Sequence, residues 1–132
     1  GGCDNTLRRW EASSGREERT FVGHAADVSG LDISFGGDVL LSGSADCSSA
    51  LWDVGSGRQL HSCTAHAEEV TDVAFNPPGT GFATSSLDGT VCVGDAATGK
   101  VVHRLYGHGE AVNSVCYNPQ GSRIASASTD TT

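Results

Sequence analysis

Apolar and polar residues alternate with a period of two along much of the chain, in short runs bounded by Gly, Asn, Asp and Pro. VSGLDI (28–33), VTDVAF (70–75) and VNSVCY (112–117) read as half-buried strands. Each is followed by a turn (SFGGD, NPPGT, NPQGS) and a second strand of small and apolar residues (VLLSGS, GFATSS, RIASAS). A tight turn carrying Asp then leads to a third strand (SSALWD, TVCVGD), a glycine turn (VGSG, AATG) and a fourth strand (RQLHSCT, KVVHRLY). No window shows sustained helical spacing with caps, so the pattern predicts an all-β chain.

The runs recur at one period. His24, His66 and His108 are 42 residues apart, as are Asp4, Asp46, Asp88 and Asp130, and no gap interrupts the register. Trp10, Trp52 and Gly94 share one phase, and Gly15, Gly57 and Gly99 another. Four short antiparallel strands per unit of about 40 residues make one blade of a β-propeller. The units fall at about 1–23 (partial), 24–65, 66–107 and 108–132 (partial), which gives two whole blades and two half blades. A closed ring takes about 4 to 8 blades. Three explanations stand for the open segment: further repeats of a longer chain, the favoured reading; copies assembling into a ring through complementary half blades; or an unstable excised fragment.

GH at 107–108, SGSADCSSALWD at 42–53, SSLDGTVCVGD at 85–95 and NPQGSRIASASTD at 118–130 together resemble the WD-repeat β-propeller family over essentially the whole chain. The phrasing is similar to that of G-protein β subunits and of cytoplasmic and ciliary WD-repeat proteins. The resemblance implies a structural tetrad in each blade: His24, Ser42, Asp46 and Trp52 in the first full unit, and His66, Thr84 and Asp88 in the second, where Gly94 replaces the tryptophan. Fragments stand at the ends, Asp4 with Trp10 and His108 with Ser126 and Asp130. It also implies a partner-facing rim at Asp27, Ser29 and Ala45; Glu69, Thr71 and Leu87; Ala111, Asn113 and Thr129; and Cys3.

Gly94 raises two further readings. VCVGDAATGK (91–100) places glycines and a lysine as a phosphate-binding loop does, but Val101 stands where that loop needs a hydroxyl for Mg²⁺. The segment is therefore a hairpin turn in a blade that has lost one tetrad member. Such a blade is expected to be weaker. Gly94→Trp is expected to stabilise it if the indole's space survives, and to destabilise it if a neighbour has filled that space or if the glycine is needed for a close approach.

Composition narrows the function. Lys and Arg number 8 against 16 Asp and Glu, a net charge of −8, which excludes nucleic acid and anionic membranes as main partners and favours a basic protein surface or segment. Five cysteines at no framework spacing point to a reducing, intracellular and cytoplasmic setting, with a ciliary or cytoskeletal complex as a further one. No stretch near 18 apolar residues predicts membrane insertion.

Ser, His and Asp side by side resemble a nucleophilic triad, yet a set repeated once per blade reads as structural and not as an active site. His61, Cys63 and His66 (H-x-C-x-x-H), with His103 and His108, suggest zinc, but one histidine of each pair belongs to the tetrad. Glu68, Glu69 and Glu110 lie in loops rather than facing each other as glycosidase acids do, and Arg8 and Arg9 read equally as strand edge or binding patch. No cofactor and no metal is expected. The resulting expectation is a non-catalytic scaffold presenting loop rims to protein partners. A propeller binding a short basic or modified peptide in its central channel is the alternative, and a Ser/His/Asp hydrolase the remote one.

Overall fold

The computed structural model describes residues 3–132. Two four-stranded antiparallel sheets occupy the middle of the chain. The first runs in sequence order through β3 (Val28–Ile33), β4 (Val39–Ser44), β5 (Ser49–Asp53) and β6 (Gln59–Cys63). The second repeats it with β7 (Val70–Phe75), β8 (Gly81–Ser86), β9 (Val91–Asp95) and β10 (Val101–Leu105). They are flanked by two two-stranded sheets, β1 (Thr6–Trp10) with β2 (Glu17–Val22), and β11 (Val112–Tyr117) with β12 (Ile124–Ser128). Among the described residues there is no helix.

The turns explain why the strands stop where they do. At the end of β5 the Asp53 carboxylate accepts the Ser56 N–H at 2.6 Å, and Gly57, at φ 76°, donates back to the Asp53 carbonyl at 2.8 Å. Asp95, Thr98 and Gly99 repeat that geometry after β9 (2.8 and 2.9 Å), so the Gly-Lys of AATGK closes a hairpin.

Successive sheets stack face to face. Leu7 and Phe21 of the first half blade bury Ala50 and Trp52 of the next; Leu41 and Leu51 then meet Val70, Val73, Phe75 and Phe82. Ala83 and Val91 cover Val112 and Val115 in turn. Each large side chain so buried contributes about 1.5–3 kcal/mol. Polar clasps join the innermost strands as well. The Asp32 carboxylate accepts the Phe75 N–H at 2.7 Å, and Asp72 accepts the Val115 N–H at 3.1 Å and the Ser114 hydroxyl at 2.8 Å. Farther out, Arg19 and His61, one repeat apart, donate to the Ser56 and Ala97 carbonyls of the following blade at 2.8 and 3.0 Å.

The space left by the missing tryptophan is filled. In the first full blade Leu40 pairs across the sheet with Trp52; at the same register in the second, Phe82 pairs with Gly94. Large and small have exchanged strands. The Phe82 ring is 1% exposed and lies over Gly94, where an added Cβ would meet its Cε1 at 2.6 Å. Of the two outcomes set out for Gly94→Trp, the structure therefore selects destabilisation: the variant overpacks the blade and loses about 1–3 kcal/mol in urea or thermal unfolding. Adding Phe82→Leu, which recreates the Leu40–Trp52 pair, recovers at least half of that loss. A single Gly94→Trp variant more stable than the parent would refute the exchange.

Candidate functional site

The repeat histidine precedes the first strand of each blade, and its ring enters the interior, where both nitrogens need partners. His24 Nδ1 lies 2.9 Å from Asp46 Oδ2, and Nε2 lies 2.7 Å from Ser42 Oγ. Trp52 Nε1 stands 2.8 Å from the same hydroxyl. An indole N–H can only donate, so Ser42 accepts it and gives its own proton to His24 Nε2. That fixes the imidazole proton on Nδ1, directed at Asp46. Asp46 also accepts the Ala25 N–H at 2.9 Å and the Ser48 hydroxyl at 2.5 Å. One chain of donors thus joins β5, β4, the loop before β3 and the turn after β4.

The second blade keeps all but the first link. His66 reaches Asp88 Oδ2 at 3.1 Å and Thr84 Oγ1 at 2.8 Å, and the Thr90 hydroxyl donates to Asp88 at 2.7 Å. A cation joins it: Arg104 donates to the Ala65 carbonyl and stands 3.8 Å from Asp88. In the last unit His108 lies 2.9 Å from both Asp130 and Ser126. In the first, Asp4 accepts from the Thr6 hydroxyl (2.8 Å) and from Arg8 (2.7 Å), while Trp10 is half exposed.

Burial opposes ionisation of Asp46 and Asp88, but hydrogen bonds outweigh it. The Ser48 hydroxyl, the Ala25 N–H and His24 hold Asp46 down at about 2; the Thr90 hydroxyl and the Ala67 and Thr90 N–H groups hold Asp88 at about 2. Asp130 is lowered too, chiefly by the Thr132 hydroxyl and the Gly109 N–H. Burial pushes His66 below the ordinary histidine range despite the Asp88 carboxylate.

These contacts decide what the triad-like residues can do. Ser42 is fully buried, with its proton on His24 and its lone pair on Trp52, so it offers no accessible nucleophile. The histidines of the H-x-C-x-x-H segment diverge, His61 to the Ala97 carbonyl and His66 to Asp88 and Thr84. Among the described residues no group of three or more His, Cys, Asp or Glu could hold a metal ion.

A family model, the WD domain, G-beta repeat, matches residues 15–53, 57–95 and 99–132. The chain belongs to the WD-repeat family. No curated protein matches it. WD repeats in general build protein-interaction scaffolds, which directs attention from the buried tetrads to the loops above them.

On this WD-repeat chain the rim positions are tied in pairs. The Ala45 N–H donates to the Asp27 carbonyl at 2.9 Å, Leu87 to Glu69 at 3.0 Å and Thr129 to Ala111 at 3.1 Å. Three serines in phase add a second tie: Ser44, Ser86 and Ser128 donate to the Ala26, Glu68 and Glu110 carbonyls at 3.1, 3.1 and 3.2 Å. Cys3, Asp27, Glu69, Leu87, Asn113 and Thr129 are exposed, and Ala45 and Ala111 are half-buried. Ser29 and Thr71 differ. Their hydroxyls donate to the Val70 and Val112 carbonyls of the next blade, so they seal the seam between blades instead of presenting a free group.

The tetrad's electrostatics fix its pH response. The depressed Asp46 and Asp88 contribute stability that is complete above their unfolded value of 3.8 and is lost as pH falls through about 2. His66, also depressed, contributes stability present above 6.5 that begins to fade below it, because the unfolded chain takes up the proton first. Melting temperature is therefore expected to decline slightly from pH 7 to 5 and steeply below pH 4. Asp46→Ala, which strands the His24 and Ala25 donors, is expected to cost about 2–4 kcal/mol in chemical unfolding and to remove the first blade's share of the acid transition.

Proposed function

We propose that this chain is a non-catalytic scaffold whose loop rim, on the tetrad side of the blades, docks a basic segment of a protein partner. One observation carries the reading. The loops on that side, 3–5, 23–27, 45–48, 64–69, 87–90, 106–111 and 129–132, contain no Lys or Arg. They expose Asp27, Glu68, Glu69 and Glu110. Loops whose own charges are all acidic, reached only by Arg8 and Arg104 from neighbouring strands and held by the paired backbone ties, are preorganised for an oppositely charged ligand and raise its rate of encounter. Leu87, 37% exposed, tied to the Glu69 carbonyl and next to Asp88 in the chain, supplies an apolar anchor on that side. An intracellular setting accords with this reading, since all five cysteines are free thiols.

Asp27→Lys with Glu69→Lys is expected to lower the affinity for an Arg-rich peptide at least tenfold at low salt, mostly through the association rate, with the unfolding midpoint unchanged. Leu87→Ala should act on the dissociation rate instead. Surface plasmon resonance across a salt series reads both, and an affinity untouched by the charge reversals would overturn the rim assignment.

A further inference from the structure

The opposite side of the blades carries a second surface of different chemistry. Its inner ring consists of the turns between the first and second strands of each blade, 34–38, 76–80 and 118–122. Phe35 in the first is 95% exposed, the highest value among the large hydrophobic residues. All three prolines of the chain, Pro77, Pro78 and Pro119, are exposed in the other two. The turns abut: a Cβ on Gly79 would stand 3.5 Å from Ser34 Cβ, and one on Gly121 would stand 3.0 Å from Pro77 Cδ. They are joined to the outer ring of turns through Val54 N–H to the Asp38 carbonyl and Ala96 N–H to the Thr80 carbonyl, both at 2.9 Å.

The exposure of Phe35 belongs to the turn itself. Pro77 holds the same repeat position and touches the turn of the blade that follows it. The corresponding neighbour of Phe35, the turn 76–80, is in place, and the ring still projects into solvent. Leu31 and Ile33 differ, because their counterparts Val73 and Phe75 are buried against the preceding blade.

Charge distinguishes this side further. Arg8, Arg9, Arg16, Arg19 and Arg104 are engaged in ion pairs or hydrogen bonds. The remaining cations, Arg58, Lys100 and Arg123, form no side-chain hydrogen bond or ion pair among the described residues, and all three are exposed at the edges of these turns. The carboxylates of the same turns keep their charge but accept from hydroxyls, Asp38 from Ser34, Asp53 from Ser56 and Asp95 from Thr98, and none forms an ion pair with the three cations.

From an exposed aromatic and proline patch with free cations on the same side of the blades, we infer a second docking surface, independent of the acidic rim, that takes an acidic peptide segment with an apolar anchor seated on Phe35. The free guanidinium and ammonium groups would meet the segment's carboxylates, and its apolar residue would cover Phe35 and the prolines.

The test is fluorescence anisotropy on the intact protein with a short dye-labelled peptide of Glu residues around a central Leu-Phe pair, beside a Lys-substituted copy and phosphatidylserine vesicles. Saturable binding of the acidic peptide and none of the vesicles is expected; the Lys-substituted copy, a ligand for the acidic rim, should respond to Asp27→Lys and ignore Phe35→Ser. Phe35→Ser should weaken acidic-peptide binding about tenfold without moving the melting temperature, and Phe35→Leu should retain most of it. Arg58→Glu with Lys100→Glu and Arg123→Glu should abolish its salt dependence, and Asp27→Lys should leave it unchanged. The inference is overturned if the acidic peptide does not bind, if binding ignores Phe35→Ser or the triple reversal, if Asp27→Lys alters it, or if vesicles bind and the peptide does not. Failure here leaves the acidic rim reading untouched, because the two surfaces share no residue.

Discussion

A buried imidazole has two nitrogens to satisfy, and leaving either unpaired costs about 1–3 kcal/mol. In this chain that requirement sets the architecture of every blade. His24 must find a carboxylate in the turn after β4 and a hydroxyl on β4, both across the sheet from the loop that carries it. The turn cannot move by one residue without losing Asp46, and β4 cannot slip without turning Ser42 to the other face. Hydrogen bonding and side-chain alternation thus demand the same register. Three histidines spaced without a gap follow from that double constraint.

Between blades the constraint is looser, and the chain meets it by more than one means. Apolar faces supply most of the contact, as expected where each repeat is stabilised mainly by its neighbours. The polar clasps differ from seam to seam. Asp32 and Asp72 both cap a backbone N–H of the next inner strand, yet they are not at the same repeat position. The second blade tolerates the loss of its tryptophan because its two requirements are met separately. Phe82 supplies the volume, and Thr84 still gives its proton to His66 without an indole donor. Arg104 adds a positive charge near Asp88, where the first blade has none.

What could be read from the sequence was whatever repeats in phase. Alternation located the strands, and the 42-residue spacing brought His, Ser or Thr, and Asp together. The serines at 44, 86 and 128 and the hydroxyls of Ser48, Thr90 and Thr132 are also in phase and could have been found by the same comparison. Out-of-phase features could not. The exchange of bulk between Leu40–Trp52 and Phe82–Gly94 becomes visible only when cross-strand partners are known. Ser29 and Thr71 are in phase and look like rim residues by position, but the acceptor of each hydroxyl is a backbone carbonyl of the next blade, which side-chain spacing does not reveal. No local pattern announces that contact.

The loops over the tetrads carry acidic side chains and no Lys or Arg of their own. Each tetrad depends on an ionised Asp, and nearby carboxylates raise the free energy of that ionised form within a screening length of about 8–10 Å. A lysine or arginine in the same loops would relieve the repulsion, as Arg104 does from β10 beside Asp88. The loops contain neither, and the tetrad Asp residues stay low chiefly because each accepts several hydrogen bonds. The hydrogen bonds of the tetrads use none of the Asp27, Glu68, Glu69 and Glu110 carboxylates. On the reading proposed above, a docked basic segment would bring positive charge to the loops above each tetrad Asp, coupling occupancy of the rim to the stability of the blades below.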